Sequence, residues 1–320
     1  MRKPIYTFLL LVCTIATLAA QGDFQKGLSY YKQGQYAKAI EEFEQIVKAS
    51  PDYEDGYRIL GDSYLKTRQY AKAVSSFQNA LRLDGDNFVS YHGLAIAYFN
   101  TGRYRDTAAT LLKAERFARS PAERHKLYQM RGSAYFNLKE FNEAVADLQK
   151  ANSLQRGQAA ELLQLGIAYY HLGNHSEAEK YLNQTLARDA GNVEARRYLS
   201  RMDYLQATQA IEQGRYSQAA ALLRNHVDQN PGDGEAWFNL GLAQLFANNL
   251  KSAEEAFLKS SQLMPQNWES FERLGYIYEK TKRYNLSLDA YKKAHALSQN
   301  ARVKQSVDRI QERLRRSAES

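Results

Sequence analysis

The chain has 320 residues, of which 44 % are hydrophobic and 24 % charged, with five prolines and one cysteine. That apolar content excludes a disordered chain, and a lone cysteine, Cys13, excludes a disulfide-stapled fold. The formal charge of +8 raises nucleic acid as a partner, but Lys and Arg alternate with Asp and Glu rather than forming one stripe, so nucleic-acid binding is not expected.

Residues 1–22 read differently from everything after them. Arg2 and Lys3 precede an apolar run from Ile5 to Ala20, and small residues follow. This is the order of a secretory signal. The run holds 16 residues, against about 20 needed to span a bilayer core. A signal peptide over residues 1–22 is expected, with a retained N-terminal membrane anchor as the alternative. Either implies export to the periplasm or cell envelope, and the anchor implies membrane association. Cys13 follows Val12 in mid-run, which departs from the lipoprotein pattern.

From residue 23 a fixed period takes over, and such a period decides the fold before any local reading. Gly27, Gly61, Ala95, Gly132, Gly166, Ala207, Gly241 and Gly275 are spaced at 34, 34, 37, 34, 41, 34 and 34 residues. Counting from each of these reference residues, position +3 brings Tyr30, Tyr64, Tyr98, Tyr135, Tyr169 and Tyr278. Position +12 is always small, from Ala39 to Ser287. Position +16 is always large: Phe43, Phe77, Leu111, Leu148, Leu182, Leu223, Phe257 and Tyr291.

Over about residues 20–301 this signature resembles the tetratricopeptide repeat. The resemblance implies an all-α chain, a right-handed α-solenoid of about eight helix-turn-helix hairpins. A helical glycine costs about 1 kcal/mol relative to alanine, so six at one phase need an offset. Close approach of the second helix is expected to supply it, Ala39 facing Gly27 for example, with tyrosine rings filling the space between hairpins. Gly34, Gly102, Gly173, Gly214 and Asn248 suit a left-handed residue ending the first helix.

Two irregular steps carry information. The step of 37 places three extra residues near Ser120, Pro121 and Ala122, expected in a loop. The step of 41 is seven residues longer than the rest, close to two helical turns. Residues 193–213 are therefore read as one lengthened helix carrying Ala195, Leu199, Met202 and Leu205. The expected organisation is units 1–5 over residues 23–192, units 6–8 over 193–301, and a capping helix and tail over 302–320. Val303, Val307, Ile310 and Leu314 form the cap's apolar stripe.

No nucleotide loop, paired-cysteine site or nucleophile elbow stands in the sequence. His171 and His175 have a zinc-compatible spacing, but Gly173 and Asn174 intervene at the turn and put them on different helices. No catalytic residue, cofactor or metal is expected, and the chain is read as no enzyme.

By the resemblance, first helices line the concave face, exposing positions +1, +4 and +5. The candidate groove is Tyr31, Leu65, Phe99, Phe136, Tyr170, Ile211 and Leu245 at +4, with Tyr276 at +1. Such a wall suits a peptide or an amphipathic helix; alternatively the rings pack away between first helices. Some family members grip a C-terminal carboxylate with Lys and Asn. Here Phe24, Leu28, Arg58 and Asp62 stand at those places, so no such clamp is expected. The expected function is a non-catalytic protein-protein interaction scaffold of the cell envelope. The alternative is a small-ligand or glycan receptor with a pocket at 193–213.

Overall fold

The computed structural model describes residues 24–318, and among these every regular element is a helix. The expected signal over residues 1–22 lies outside the described residues. Two compact units divide at Ala190 and Gly191. The first holds α1 (24–32), α2 (Tyr36–Ala49), α3 (Glu54–Lys66), α4 (Tyr70–Leu83), α5 (Phe88–Asn100), α6 (Tyr104–Ala114), α7 (Pro121–Asn137), α8 (Phe141–Leu154), α9 (Ala159–His171) and α10 (His175–Arg188). The second holds α11 (Val193–Glu212), α12 (Tyr216–Gln229), α13 (Gly234–Phe246), α14 (Leu250–Leu263), α15 (Trp268–Lys280), α16 (Tyr284–Ser298) and α17 (Ala301–Ala318). Consecutive odd and even helices pair as hairpins, and α17 packs on α16. Among the described residues no helix is long and apolar enough to cross a membrane.

The turns are built alike. The amide at position +8 donates to the carbonyl at +3 at 2.8–3.0 Å, from Gln35 to Tyr30 in the first hairpin through Arg283 to Tyr278 in the last. That bond and a left-handed residue at +7 make a Schellman ending. Sequence pointed to five of the left-handed residues. The other three are Arg68, Lys139 and Lys282, with φ of 59°, 61° and 61°. An L side chain in this region costs roughly 1–2 kcal/mol.

Close approach within the hairpin is confirmed, but its partner differs from expectation. A Cβ added to Gly27, Gly61, Gly132, Gly166, Gly241 or Gly275 would come within 2.7–3.1 Å of the side chain at +16, Phe43 in the case of Gly27. Ala39 is not what fills that space. Helical side chains lean toward the helix N-terminus, so the larger residue one turn later covers the spot. The +12 residues are buried beside it, and the Ser287 hydroxyl donates to the Gly275 carbonyl at 2.8 Å. Between hairpins, the +3 tyrosines bond the preceding second helix. Tyr64 donates to Glu44, and Tyr98 and Tyr169 accept from Gln78 and Gln149 at 3.1 and 2.6 Å.

The extra length near Ser120 goes mainly into α7, which runs to 17 residues, while residues 118–120 remain a short loop after a 3₁₀ turn, Glu115–Phe117, that ends α6. Ser120 and Glu123 close a capping box with Pro121 in the first turn, which favours helix over coil here. Below this entry Arg131, 4 % exposed, forks onto Asp147 at 2.6 and 2.9 Å. It also donates to Glu115 at 2.7 Å, whose other oxygen accepts from Tyr128.

In the second unit, α11 is one helix of 20 residues. Ala195 and Met202 are buried in it, whereas Leu205 is exposed rather than part of an inward stripe. Val303, Val307 and Ile310 of α17 join the core of α15 and α16, with Leu314 at its edge, and a charged outer face remains. This is the packing of a terminal cap.

Two expectations follow. Lys139→Gly should raise unfolding stability by about 0.5–1 kcal/mol, the relieved left-handed strain less the glycine's extra chain entropy. Gly173→Ala should lower it, and urea midpoints moving in the opposite senses would contradict this turn. Asp147→Ala leaves the buried Arg131 guanidinium with Glu115 as its one remaining carboxylate and should cost about 1–3 kcal/mol. Arg131→Met with Asp147→Leu should restore most of that; a cost under about 1 kcal/mol for Asp147→Ala would show the pair to be solvated.

Candidate functional site

In the first unit α3 touches α5, α5 touches α7 and α7 touches α9, so the first helices form one face. On it α1, α3 and α5 enclose a cleft of ≈ 510 Å³. Its walls recur with the repeat. Phe24, Arg58 and His92 stand at position −3; Leu28, Asp62 and Ile96 stand at +1. Asp55 and Val89 at −6 complete the stripe, since −6, −3 and +1 fall on one side of a helix. Gly93 lets the Phe77 ring reach the floor, where an added Cβ would lie 2.3 Å from it.

The polar groups of the cleft hold one another. Arg58 pairs with Asp55 and reaches Glu54 at 3.9 Å. The Tyr31 hydroxyl donates to Asp62. Burial, and then the hydrogen bond to Asp62 and its charge, push the Tyr31 phenol up. Burial also raises the Glu54 carboxyl, against the opposing pull of Arg58. Burial, and next the Lys126 charge, bring His92 down to about 4. His92 is therefore neutral at pH 7, stacked on Phe88 with ring centroids 5.9 Å apart. The result is an apolar slot with carboxylates along one wall, suited to holding a side chain. Among the described residues no group of three or more His, Cys, Asp or Glu could hold a metal ion.

Of the eight groove residues expected from sequence, only Tyr31 lines the cleft. Leu65, Phe99, Phe136 and Tyr170 are half-buried elsewhere in the same unit. The rings of Tyr31, Phe99, Phe136 and Tyr170 pack edge-on against Tyr36, Tyr104, Phe141 and His175 at 5.2–6.0 Å. Each thus meets the first residue of the second helix of its own hairpin, a placement neither sequence alternative included. Ile211 and Leu245 are half-buried in the second unit. Tyr276 there is 40 % exposed, with the Lys280 ammonium 5.4 Å above its ring.

Within residues 193–213, Ser200 accompanies His226 and Asp233. The Ser200 hydroxyl lies 2.9 Å from His226 Nδ1, and His226 Nε2 lies 3.0 Å from Asp233. Despite the residue types this is no open nucleophile. Ser200 is 1 % exposed, Asn230 donates to its hydroxyl at 2.7 Å, and its carbonyl also faces His226 at 2.8 Å. The chain of bonds ties α11 to α12 and to the cap of α13, where Asp233 accepts from the Ala236 amide.

Sequence reading missed Asp55, Val89 and His92 as lining residues. The available signal was Asp55, Arg58 and Asp62 at i, i+3 and i+7 in α3, a charged stripe between Phe24 and Leu28 of α1 and Val89 and Ile96 of α5. Because the charged form of His92 is disfavoured in the fold, its contribution is intact above pH 6.5 and is lost as pH falls toward about 4. On the order of 3 kcal/mol is involved. His92→Gln should flatten the stability curve across that window, and parallel curves for the two proteins would contradict the burial of this ring.

Tetratricopeptide-repeat patterns match residues 24–88 and 204–262, and a further one matches 269–300. Residues 59–215 also match the family described as T7SS, ESX-1 secretion system protein EccA1, N-terminal domain. The chain is similar to the crystal structure of MamA, at 22 % identity over 53 % of this chain and 92 % of that one, TM-score 0.49. It is also similar to the TPR2AB domain of yeast Sti1 in its pHSP90 complex, at 18 % identity over 80 % and 96 %, TM-score 0.46. A third similar structure is YrrB, described as a TPR protein with an unusual peptide-binding site, at 18 % identity over 72 % and 97 %, TM-score 0.37. At identities and TM-scores this low, these likenesses say nothing further of this chain. No curated protein matches the chain by sequence. Proteins of the repeat family generally mediate protein-protein interaction and are generally non-catalytic. A signature carried by eight units, one turn geometry throughout and family matches in both units make this chain a tetratricopeptide-repeat protein.

Proposed function

We propose that the chain is a non-catalytic scaffold of the periplasm or cell envelope that captures other proteins by a peptide or amphipathic-helix segment laid on its first-helix face. The α1–α3–α5 cleft is the principal seat. The observation that carries this reading is an apolar slot shared by three successive first helices, with Val89 left 55 % exposed at its rim. Such a side chain gains by being covered, roughly 1.5–3 kcal/mol for full burial. Leu65, Phe99, Phe136 and Tyr170 extend the same face with half-buried apolar surface. Ile211, Leu245 and Tyr276 give the second unit an apolar face of its own. Export rests on the charged, apolar, small-residue order of residues 1–22.

Val89→Glu with Ile96→Glu should cut the recovery of in-cell crosslinked partners at least tenfold while far-UV dichroism stays unchanged. Leu112→Glu, on the outward side of α6 and 61 % exposed, should leave recovery intact. If the double variant captures as the parent does, the cleft is not the seat.

A further inference from the structure

The repeat puts a charged stripe on only one wall of this cleft. Asp55, Arg58 and Asp62 share one side of α3, while Phe24 and Leu28 face them from α1, and Val89 and Ile96 from α5. Arg58 is already engaged by Asp55 and Glu54. Among the described residues Asp62 pairs with no cation and accepts from the Tyr31 hydroxyl. With His92 neutral, two lining carboxylates stand against one guanidinium, which Glu54 beside the cleft also draws on, and Lys126 acts on His92. The whole chain carries +8, so this acidic spot runs against the background charge.

We infer that the α1–α3–α5 cleft selects a protein segment bearing a basic residue between apolar ones, its charged head set against Asp55 and Asp62. The inference rests on the function proposed above and names the partner's chemistry at that site. A lysine or arginine has the form this slot takes. Its methylene stem covers Leu28, Ile59 and Ile96, while the head reaches the carboxylates. The Phe24 and Tyr31 rings add faces that attract a cation. An acidic segment meets like charge on α3 and is turned away.

The test uses the full chain and three labelled twelve-residue peptides of Leu and Ala that differ only at one central residue: Lys, norleucine or Glu. Fluorescence anisotropy should rank them Lys, norleucine, Glu, with at least tenfold between the first and last. Asp62→Asn with Asp55→Asn should shrink that ratio to below threefold while the norleucine peptide binds as before. A Glu peptide that binds as well as the Lys peptide overturns the charge selection and leaves the cleft as a binding seat. A ratio unchanged in the double variant overturns it too, because the preference then arises elsewhere. If none of the peptides binds, or all bind a Val89→Glu variant as tightly, the seat itself fails and the inference with it.

Discussion

One contact sets the geometry of every hairpin: the small reference residue of the first helix against the large side chain sixteen positions later. The pairing is selective in size. Phe43, Phe77, Phe257 and Tyr291 all lie over glycine, whereas alanine, at Ala95 and Ala207, occurs only where leucine stands opposite. Rings stand only over glycine, whereas leucine stands over glycine at Gly132 and Gly166 and over alanine at Ala95 and Ala207. Each glycine forgoes about 1 kcal/mol of helix propensity, and burial of a ring contributes roughly 1.5–3 kcal/mol in return. Phe43, Phe77 and Phe257 are among the largest fully buried side chains, as expected of residues carrying that balance.

With that contact fixed, the rest of the surface is allotted. The turn closes through the same backbone bond in each hairpin, and the +3 tyrosines bind the hairpin before. What remains open on a first helix is the stripe at −6, −3 and +1, lying to one side of the reference residue. Three such stripes meet in the cleft of the first unit. The side chains that build the array are the ones that would otherwise be available for chemistry, so recognition there falls to the few that are left.

The fold was legible because its determinants are local and repeated. Gly34, Gly102, Gly173, Gly214 and Asn248 announced the left-handed turn, and the stripe from Val303 to Leu314 announced the cap. Arg68, Lys139 and Lys282 hid the same turn, because lysine and arginine carry no conformational signal of their own. Arg131 and Asp147 were invisible for a related reason: a charge in sequence looks solvated until the irregular entry to α7 encloses it. The site was less legible still. Periodicity shows which residues share a helix face, but not which flank meets the next first helix. The contacts of the +4 rings were hidden in the sequence because their partners, five residues on, lie across a turn that reverses the chain.

The size rule at the hairpin contact can be read from the sign of one stability change. Gly241→Ala would set a Cβ 2.7 Å from the Phe257 ring, so it should destabilise the chain by about 1–3 kcal/mol. Adding Phe257→Leu recreates the pairing of Ala95 with Leu111 and should recover most of that loss in a double-mutant cycle. Helix propensity alone predicts the reverse, a gain of about 1 kcal/mol for Gly241→Ala that does not depend on residue 257. That gain, measured by urea unfolding, would contradict the contact on which the architecture rests.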